Sequence, residues 1–469
     1  MTDSTADTAL MGQPAQAYAS AVAKTEARKG LPFIFAAIYT FSALVPMLIP
    51  VGPFVLMPFR IVLLLLFIPV FIGLMTGRAG RILWADWLII GAGFWAAIAM
   101  FANHGIDNVL EPVGINTLQF VGAYLLARTT IRNSSDFRKF VNVFFVILMV
   151  LVPFAAFESL TGRSILLEAL PNSVRIVSPP MRWGMRRAQV LFSHPILFGV
   201  FCAIAFSLFF FVLKGFRRYL GMLLSAGGAF FSLSTGALMS VIFQFGFIVW
   251  ELVTRPRAGR WLTFGILTAV AYVVVDLLSN RNPFHILVDY ATFNTASGFN
   301  RILIWNFGTQ NVADNPIFGI GMNDWARPSW MSNSVDNYWL LETMRYGLPF
   351  IIMYATAILM VMLKVARAPL SDPLDKACRA AFLTSMGGVI LAGGTVHYWH
   401  TIQSFIMFLF GSGIWAISGG AKAAVSQTAD ALNDAMPARM RYSRGKRPPP
   451  RKRGNQPAVA RETIKRAVR

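Results

Sequence analysis

Runs of about 20 apolar residues recur along this chain, each long enough to carry an α-helix through the roughly 30 Å hydrocarbon core of a bilayer. Twelve such runs can be marked, at about 32–50, 54–76, 83–102, 112–128, 139–158, 195–213, 219–233, 236–253, 261–279, 338–363, 380–397 and 400–419. The fourth and seventh are short, and the pair at 219–233 and 236–253 admits another division. Composition agrees: 56% of residues are hydrophobic and only 13% charged, whereas a water-soluble surface needs roughly 25% charged residues. A soluble globule and a disordered chain are both excluded. A backbone in lipid must satisfy its own hydrogen bonds, and runs of this length do so as helices. The expected fold class is therefore all-α, a polytopic integral membrane protein of about twelve transmembrane helices. No internal repeat is evident, and the two halves lack the matched broken helices that mark many transporters.

Charge is scarce but lopsided, with 42 Lys+Arg against 21 Asp+Glu and a formal net charge of +21. Nucleic acid, anionic lipid and membrane topology could each account for such an excess. Topology can be tested directly, because Lys and Arg of short loops stay on the cytoplasmic side. With twelve spans and a cytosolic start, thirty-two of the 42 basic residues fall inside. Two more, Arg60 and Arg345, lie within spans, and Arg60 can be read as a span-boundary residue. Only eight fall outside: Arg163, Arg175, Arg182, Arg186 and Arg187 in one loop, and Arg281, Arg301 and Arg327 in another. The excess thus needs no nucleic acid, and both termini are expected in the cytosol.

Three regions follow. Residues 1–30 are polar, rich in Ala and Thr and without an apolar stretch before Leu31, which reads as a disordered cytosolic extension rather than a cleaved signal. Residues 31–420 form the twelve-span membrane domain. Residues 421–469 carry thirteen basic residues, with the run RMRYSRGKRPPPRKRGNQP beginning at Arg439. That run has too little apolar surface to fold. Its expected partner is anionic membrane lipid, at about 1 kcal/mol per basic residue near the surface. Two cysteines, Cys202 and Cys378, make a disulfide framework improbable.

The eight outside arginines sit in the two long outer connectors, at 159–194 and 280–337. A loop of the second length usually has a function of its own. Its Phe293, Phe299, Trp305, Phe307, Phe318, Trp325 and Trp330 suggest short helices packed over the bundle. In the first connector the chain reads PPMRWGMRRAQVLFSHPILFG from Pro179 to Gly199. Arg182, Arg186 and Arg187 gather there, and guanidinium forks suit phosphate oxygens. They clamp a phosphate or diphosphate, or they touch lipid headgroups. His194 either caps the following helix or takes part in chemistry. In the second connector Arg301 and Trp305 are four apart and share a helix face. Asn315-Pro316 marks a turn, and Gly319 and Gly321 permit close backbone approach. Asp336 and Asn337 stand at the start of the tenth span, where Asp336 serves either as an ion-pair partner of the arginines or as a general base. Arg345, inside that span, is a functional candidate by its position, unless it simply pairs with Glu342 one turn earlier.

These segments resemble the bacterial O-antigen ligase and O-antigen polymerase superfamily, which includes exopolysaccharide polymerases. The resemblance rests on RAQVLFSHPILFG (Arg187 to Gly199), and on the series Arg301, Trp305, Asn315-Pro316, Gly319 and Gly321 leading to Asn337 and Gly347. It extends over about residues 30–420. It implies a metal-independent membrane glycosyltransferase without cofactor, at the periplasmic face of the bacterial inner membrane. A glycan would pass from a polyprenyl-diphosphate donor to the hydroxyl of an acceptor glycan or glycolipid, in cell-envelope polysaccharide biosynthesis. Arg187, Arg301 and Asp336 are then the expected catalytic residues, with Arg182, Arg186, His194, Trp305, Asn337 and Arg345 binding substrate. A chain-length regulator and an export complex would be further partners. One departure stands out: ligases commonly carry His before Asn where this chain has Asp336-Asn337, which favours a polymerase or other exopolysaccharide-joining activity over transfer to lipid A core.

Three other readings compete. A transporter or flippase of lipid-linked oligosaccharide would also use arginines and twelve spans, but should line a central path with charge from both leaflets. A metal-dependent glycosyltransferase needs acidic ligands in the first outer loop; Pro50 to Pro53 has none, and Asp107 and Glu111 in the next outer loop are a poor substitute. The third alternative is a scaffold in an export complex.

Overall fold

A computed structural model of the protein describes residues 30–52, 54–170, 173–177, 179–255, 259–279 and 295–417. The N-terminal extension up to residue 29, Arg281 and Phe293, and the basic tail lie outside the described residues. Within them the chain is helical apart from one small antiparallel hairpin. Eight helices are long and apolar enough to cross a membrane: Pro58–Met75, Trp84–His104, Ile106–Thr130, Ser134–Thr161, Pro195–Val212, Thr235–Thr254, Arg260–Leu278 and Tyr338–Arg367. This is a multi-pass, all-α membrane architecture.

Several apolar runs take a different form from a plain span, each for a local reason. The first run yields only α1 (Ile34–Ser42), followed by the hairpin of β1 (Ile49–Val51) and β2 (Phe54–Leu56), paired Ile49 to Leu56 and Val51 to Phe54. Pro46 and Pro50 interrupt helical bonding there, since proline has no amide hydrogen to donate. Beyond the hairpin come α2 (Pro58–Met75) and α3 (Trp84–His104). The short fourth run belongs to a longer object. α4 (Ile106–Thr117) passes through a single π-helical turn, Leu118–Gly122, into α5 (Ala123–Thr130). Asp107, Asn108 and Glu111 had masked its first turns.

The middle of the bundle is α6 (Ser134–Thr161), the one-turn α7 (Ile165–Glu168), α8 (Pro195–Val212), α9 (Phe216–Phe231) and α10 (Thr235–Thr254). α9 and α10 are separate helices joined by three residues, as the doubtful pair of runs had been divided. α8 is the buried axis, with nearly every residue covered, and α9, α10 and α14 (Pro373–Ala392) pack on it. By contrast α11 (Arg260–Leu278) has no buried residue and presents its apolar side chains outward, as a lipid-facing helix does.

The outer connector contains α12 (Thr295–Asp314) and then an irregular stretch with a core of its own. Ile304, Trp325, Met331 and Val335 pack there against Leu340 and Met344 at the start of α13 (Tyr338–Arg367). That helix is broken at Gly347 (φ 77°, ψ 177°), two residues before Pro349. A break inside a membrane helix strands backbone groups that lipid cannot satisfy, and the connector fills them. Ile320 N donates to the Met344 carbonyl (2.7 Å), Gly321 N to the Arg345 carbonyl (3.0 Å), and Leu348 N to the Pro316 carbonyl (2.7 Å). The Trp95 indole of α3 takes the Tyr346 carbonyl (3.0 Å). Gly347 and Gly319 are required by this docking: a Cβ on either would run into the other segment's carbonyls. The last described helix, α15 (Thr401–Ser412), follows the partly buried segment 393–400.

Candidate active site

The chain around Arg187 has no regular structure and is fixed by three neighbours. Arg186 N donates to the Ser159 carbonyl (3.0 Å) and Ala188 N to the Phe231 carbonyl (2.9 Å). Gln189 N and Val190 N each bond one oxygen of Glu158 (3.0 and 2.9 Å), which also accepts from Ser164 Oγ (2.8 Å). Glu158 is 3% exposed, and a carboxylate at that depth is tolerable because three donors surround it. Val190 adopts φ 53°, a costly conformation for a β-branched residue that persists where its surroundings over-determine it. The result is a rigid seat for Arg187.

Three guanidinium groups converge from that seat and from α12. Arg187 Nε donates to the Ser232 carbonyl (3.2 Å) and Arg182 Nη1 to the Leu233 carbonyl (2.6 Å), so both are braced on the α9–α10 turn. Arg301, one and a half turns into α12, has Nε and Nη1 buried with no hydrogen-bond partner among the described residues. Burial holds all three below the usual guanidinium range, Arg187 at about 10. Arg182 adds repulsion on Arg187 and Arg301, while Asp336 opposes the shift on all three. None of them closes a direct ion pair with Asp336, whose carboxylate accepts from Ser334 Oγ (3.3 Å). Three positive forks around one carboxylate leave positive charge and free donors, a setting for a phosphate-bearing anion.

The remaining expected residues divide. His194 caps α8, with Nδ1 accepting from Ile196 N (3.2 Å). Its pKa is lowered to about 4, by burial first and by Arg187 second. With Nδ1 accepting, the neutral ring carries its proton on Nε2. The ring packs on Trp399, centroids 5.5 Å apart. Asn337 is the N-cap of α13, its Oδ1 accepting from Leu340 N (3.0 Å), which occupies the side chain structurally. Arg186 turns to the Gly162 carbonyl (2.6 Å) at the end of α6. Trp305 is 41% exposed on α12. Both cysteines are free.

Arg345 belongs to a second feature, a cavity of about 580 Å³ among the helices. Met322 and Ser334 of the connector reach it from above. Arg60, Glu111, Gln119, Glu342, Arg345, His397, Trp399, His400 and Gln403 supply most of its polar wall. Arg345 Nη1 stands 3.9 Å from Glu342 Oε1, a loose pair that leaves Glu342 Oε2 buried without any partner among the described residues. Arg60 stands at the span boundary, as the third residue of α2, and is nevertheless buried. It is 7% exposed and its Nη2 lies 3.0 Å from His400 Nδ1. With the Gln119 amide turned so that its oxygen faces the arginine, that oxygen accepts from Arg60 Nε and Nη2 (2.8 and 3.0 Å). His400 sits at φ 48°, strained backbone of the kind that gathers at functional sites. The sequence carries a signal for this wall: His397 to His400 reads HYWH and holds two of the chain's five histidines between apolar helices.

The cavity and the arginine cluster adjoin. Ser334 lines the one and bonds Asp336 of the other, and Trp399 lines the one and packs on His194 beside Arg187. Among the described residues no group of three or more His, Cys, Asp or Glu side chains is placed to hold a metal ion.

No curated protein matches the chain. Residues 220–355 match a family described as O-Antigen ligase. That segment runs from α9 to the middle of α13 and so contains Arg301, Asp336, Asn337, Arg345 and the Gly347 break. Arg182 and Arg187 lie before it and meet it in space at the α9–α10 turn. Over this segment, less than a third of the chain, the protein is similar to the O-antigen ligase family.

Proposed function

We propose that the protein joins glycans at the periplasmic face of the bacterial inner membrane, taking a glycan from polyprenyl diphosphate and delivering it to a sugar hydroxyl. The observation that carries this reading is the triad Arg182, Arg187 and Arg301, held without direct ion pairs around Asp336, with Arg301 donors buried and unfilled. A diphosphate supplies the acceptor oxygens those donors lack. In the reaction the acceptor oxygen bonds to the anomeric carbon as the bond from that carbon to the diphosphate oxygen breaks, with inversion. The acceptor's proton leaves to a base, for which Asp336 is the nearest carboxylate to the cluster. Charge grows on the departing polyprenyl diphosphate, and guanidinium groups already fixed in place stabilise it without reorganising. Arg187 and Arg301 fill that role, and Arg182 completes the clamp. His194, neutral and capped, holds its place beside Arg187 rather than moving protons on Nδ1.

Asp336 in place of a histidine favours polymerisation or another exopolysaccharide-joining step over transfer to lipid A core. Both termini are assigned to the cytosol, the basic tail to anionic lipid, and a chain-length regulator and export complex to the surrounding machinery.

The test is direct. Purified protein in detergent or liposomes, given a polyprenyl-diphosphate glycan and acceptor without added metal, should release polyprenyl diphosphate and lengthen the acceptor. Arg301→Lys should slow turnover by roughly 100-fold, the scale of losing one preorganised donor to developing charge, since an ammonium cannot reproduce the planar fork. No release by the wild-type protein would end the reading, and full loss on chelation would end its metal independence.

A further inference from the structure

The arginine cluster accounts for a diphosphate, but the adjoining cavity is too large and too differently built to belong to the same ionic group. Its wall mixes both charge signs, amides and aromatic rings. It also holds a carboxylate oxygen, Glu342 Oε2, that is buried with no hydrogen-bond donor. Glu342 is 1% exposed, and a buried carboxylate oxygen left unpaired is expensive. An acceptor oxygen in that position calls for an O–H or N–H brought in from outside the chain. The guanidinium of Arg345, 3.9 Å from the other oxygen, stands too far for a good hydrogen bond and has donors to spare. Trp399 adds an aromatic wall beside these polar groups.

Planar groups that both donate and accept, set around an aromatic face, match the vicinal hydroxyls and the apolar C–H face of a sugar ring. A lipid chain would leave the polar wall unsatisfied, and a simple anion would face Glu342 and Glu111. We infer that this cavity is a sugar-ring subsite, in which Glu342 Oε2 accepts from one ring hydroxyl, Arg345 donates to another, and Trp399 covers the ring face. Its size admits a sugar ring, since ligand pockets of this kind run from roughly 300 to 1,000 Å³. Backbone strain at His400, locked by Arg60, keeps that wall in place before the sugar arrives. The inference rests on the glycosyl-transfer reading for its place in the reaction. The wall shared through Ser334 and Trp399 puts the ring beside the diphosphate. The ring is then either the acceptor sugar or the donor sugar next to the phosphates.

Two measurements separate this inference from the reading beneath it. The first is equilibrium binding, by titration calorimetry, of a soluble oligosaccharide obtained by partial hydrolysis of the host's own surface polysaccharide. It needs no turnover, so it answers even if no transfer is seen. Glu342→Gln and Arg345→Gln should each weaken binding about tenfold or more, the loss of one hydrogen bond to a charged group. Arg345, which is 36% exposed, guards against the case where the Glu342 variant fails to fold. The second is the KM of donor and acceptor for the same variants. A rise for the acceptor alone makes the ring an acceptor sugar, and a rise for the donor alone makes it the donor's. Unchanged oligosaccharide affinity together with unchanged KM for both substrates, in folded Arg345→Gln, overturns the subsite. Absent polyprenyl diphosphate release with intact, variant-sensitive oligosaccharide binding would instead overturn the transfer reading and leave the subsite standing.

Discussion

At the scale of single residues, the difference between a functional and a structural role is set by what each polar group already touches. Arg186, Arg187 and Arg182 are near neighbours in sequence, yet Arg186 is committed to the end of α6 while the other two face Asp336 and Arg301. The sequence pointed to the arginine-rich outer loops because positive charge is unusual on that side. It could not divide the trio, since the division depends on which carbonyls lie within reach. Nor did it give a role to Arg60, whose partners Gln119 and His400 lie more than fifty residues away, or to Glu342 Oε2, which has no partner among the described residues. His194 illustrates a consequence that can be measured. Its folded pKa of about 4 lies below the reference near 6.5, so the unfolded chain takes up the proton first as pH falls. Stability is therefore full above about pH 6.5 and is lost progressively toward pH 4. His194→Asn keeps an N-cap acceptor but cannot titrate. Melting of the wild-type protein should drop more between pH 7 and 4.5 than melting of the variant. Parallel curves would remove His194 from the acid sensitivity.

At the scale of elements, the informative feature is the break in α13. Proline at 349 and glycine at 347 are visible in the sequence, and so are Asn315-Pro316, Gly319 and Gly321. What the sequence does not state is that the two sets are one device. The connector's amides and carbonyls replace the bonds that the break removes. Gly319 and Gly347 thus approach the chain's own backbone, while Gly321 lies against the side chains of His104 and Asn103, and together they dock the segment after α12 onto α13, which carries Glu342 and Arg345. Gly319 has φ 63° and its missing Cβ leaves room for the Met344 and Arg345 carbonyls. Gly319→Ala should cost roughly 1–3 kcal/mol, from the left-handed conformation and the lost close approach. Its more telling effect should be on rate: kcat falls because Arg301 and the cavity shift relative to Arg187, although no catalytic side chain is changed. Unaltered kcat in a protein with lowered melting temperature would show that the docking is for stability alone.

At the scale of the whole molecule, the apolar runs gave the class at once, because uninterrupted runs of about 20 apolar residues cross lipid as helices, whereas barrel strands need only about half that length. Run length gave the number of crossings less well. Prolines shorten the first run to nine helical residues, and polar first turns hide the true length of Ile106–Thr130. Sidedness is a separate expectation, read from which loops hold the basic residues. Arg182, Arg187 and Arg301 share one neighbourhood around Asp336, so the two long connectors must lie on the same side of the membrane. The basic loops at Arg78 and Arg81, and at Arg217 and Arg218, stand at the opposite ends of the helices that lead to them. A reporter active only outside the cytosol, fused after residue 175 or after residue 310, should therefore be active in both places, and silent when fused after residue 217. Activity at 175 with silence at 310 would contradict the shared neighbourhood. Silence at both would place the arginines on the cytosolic face, where positive charge is ordinary, and would take from them the anomaly that first marked them as a diphosphate clamp.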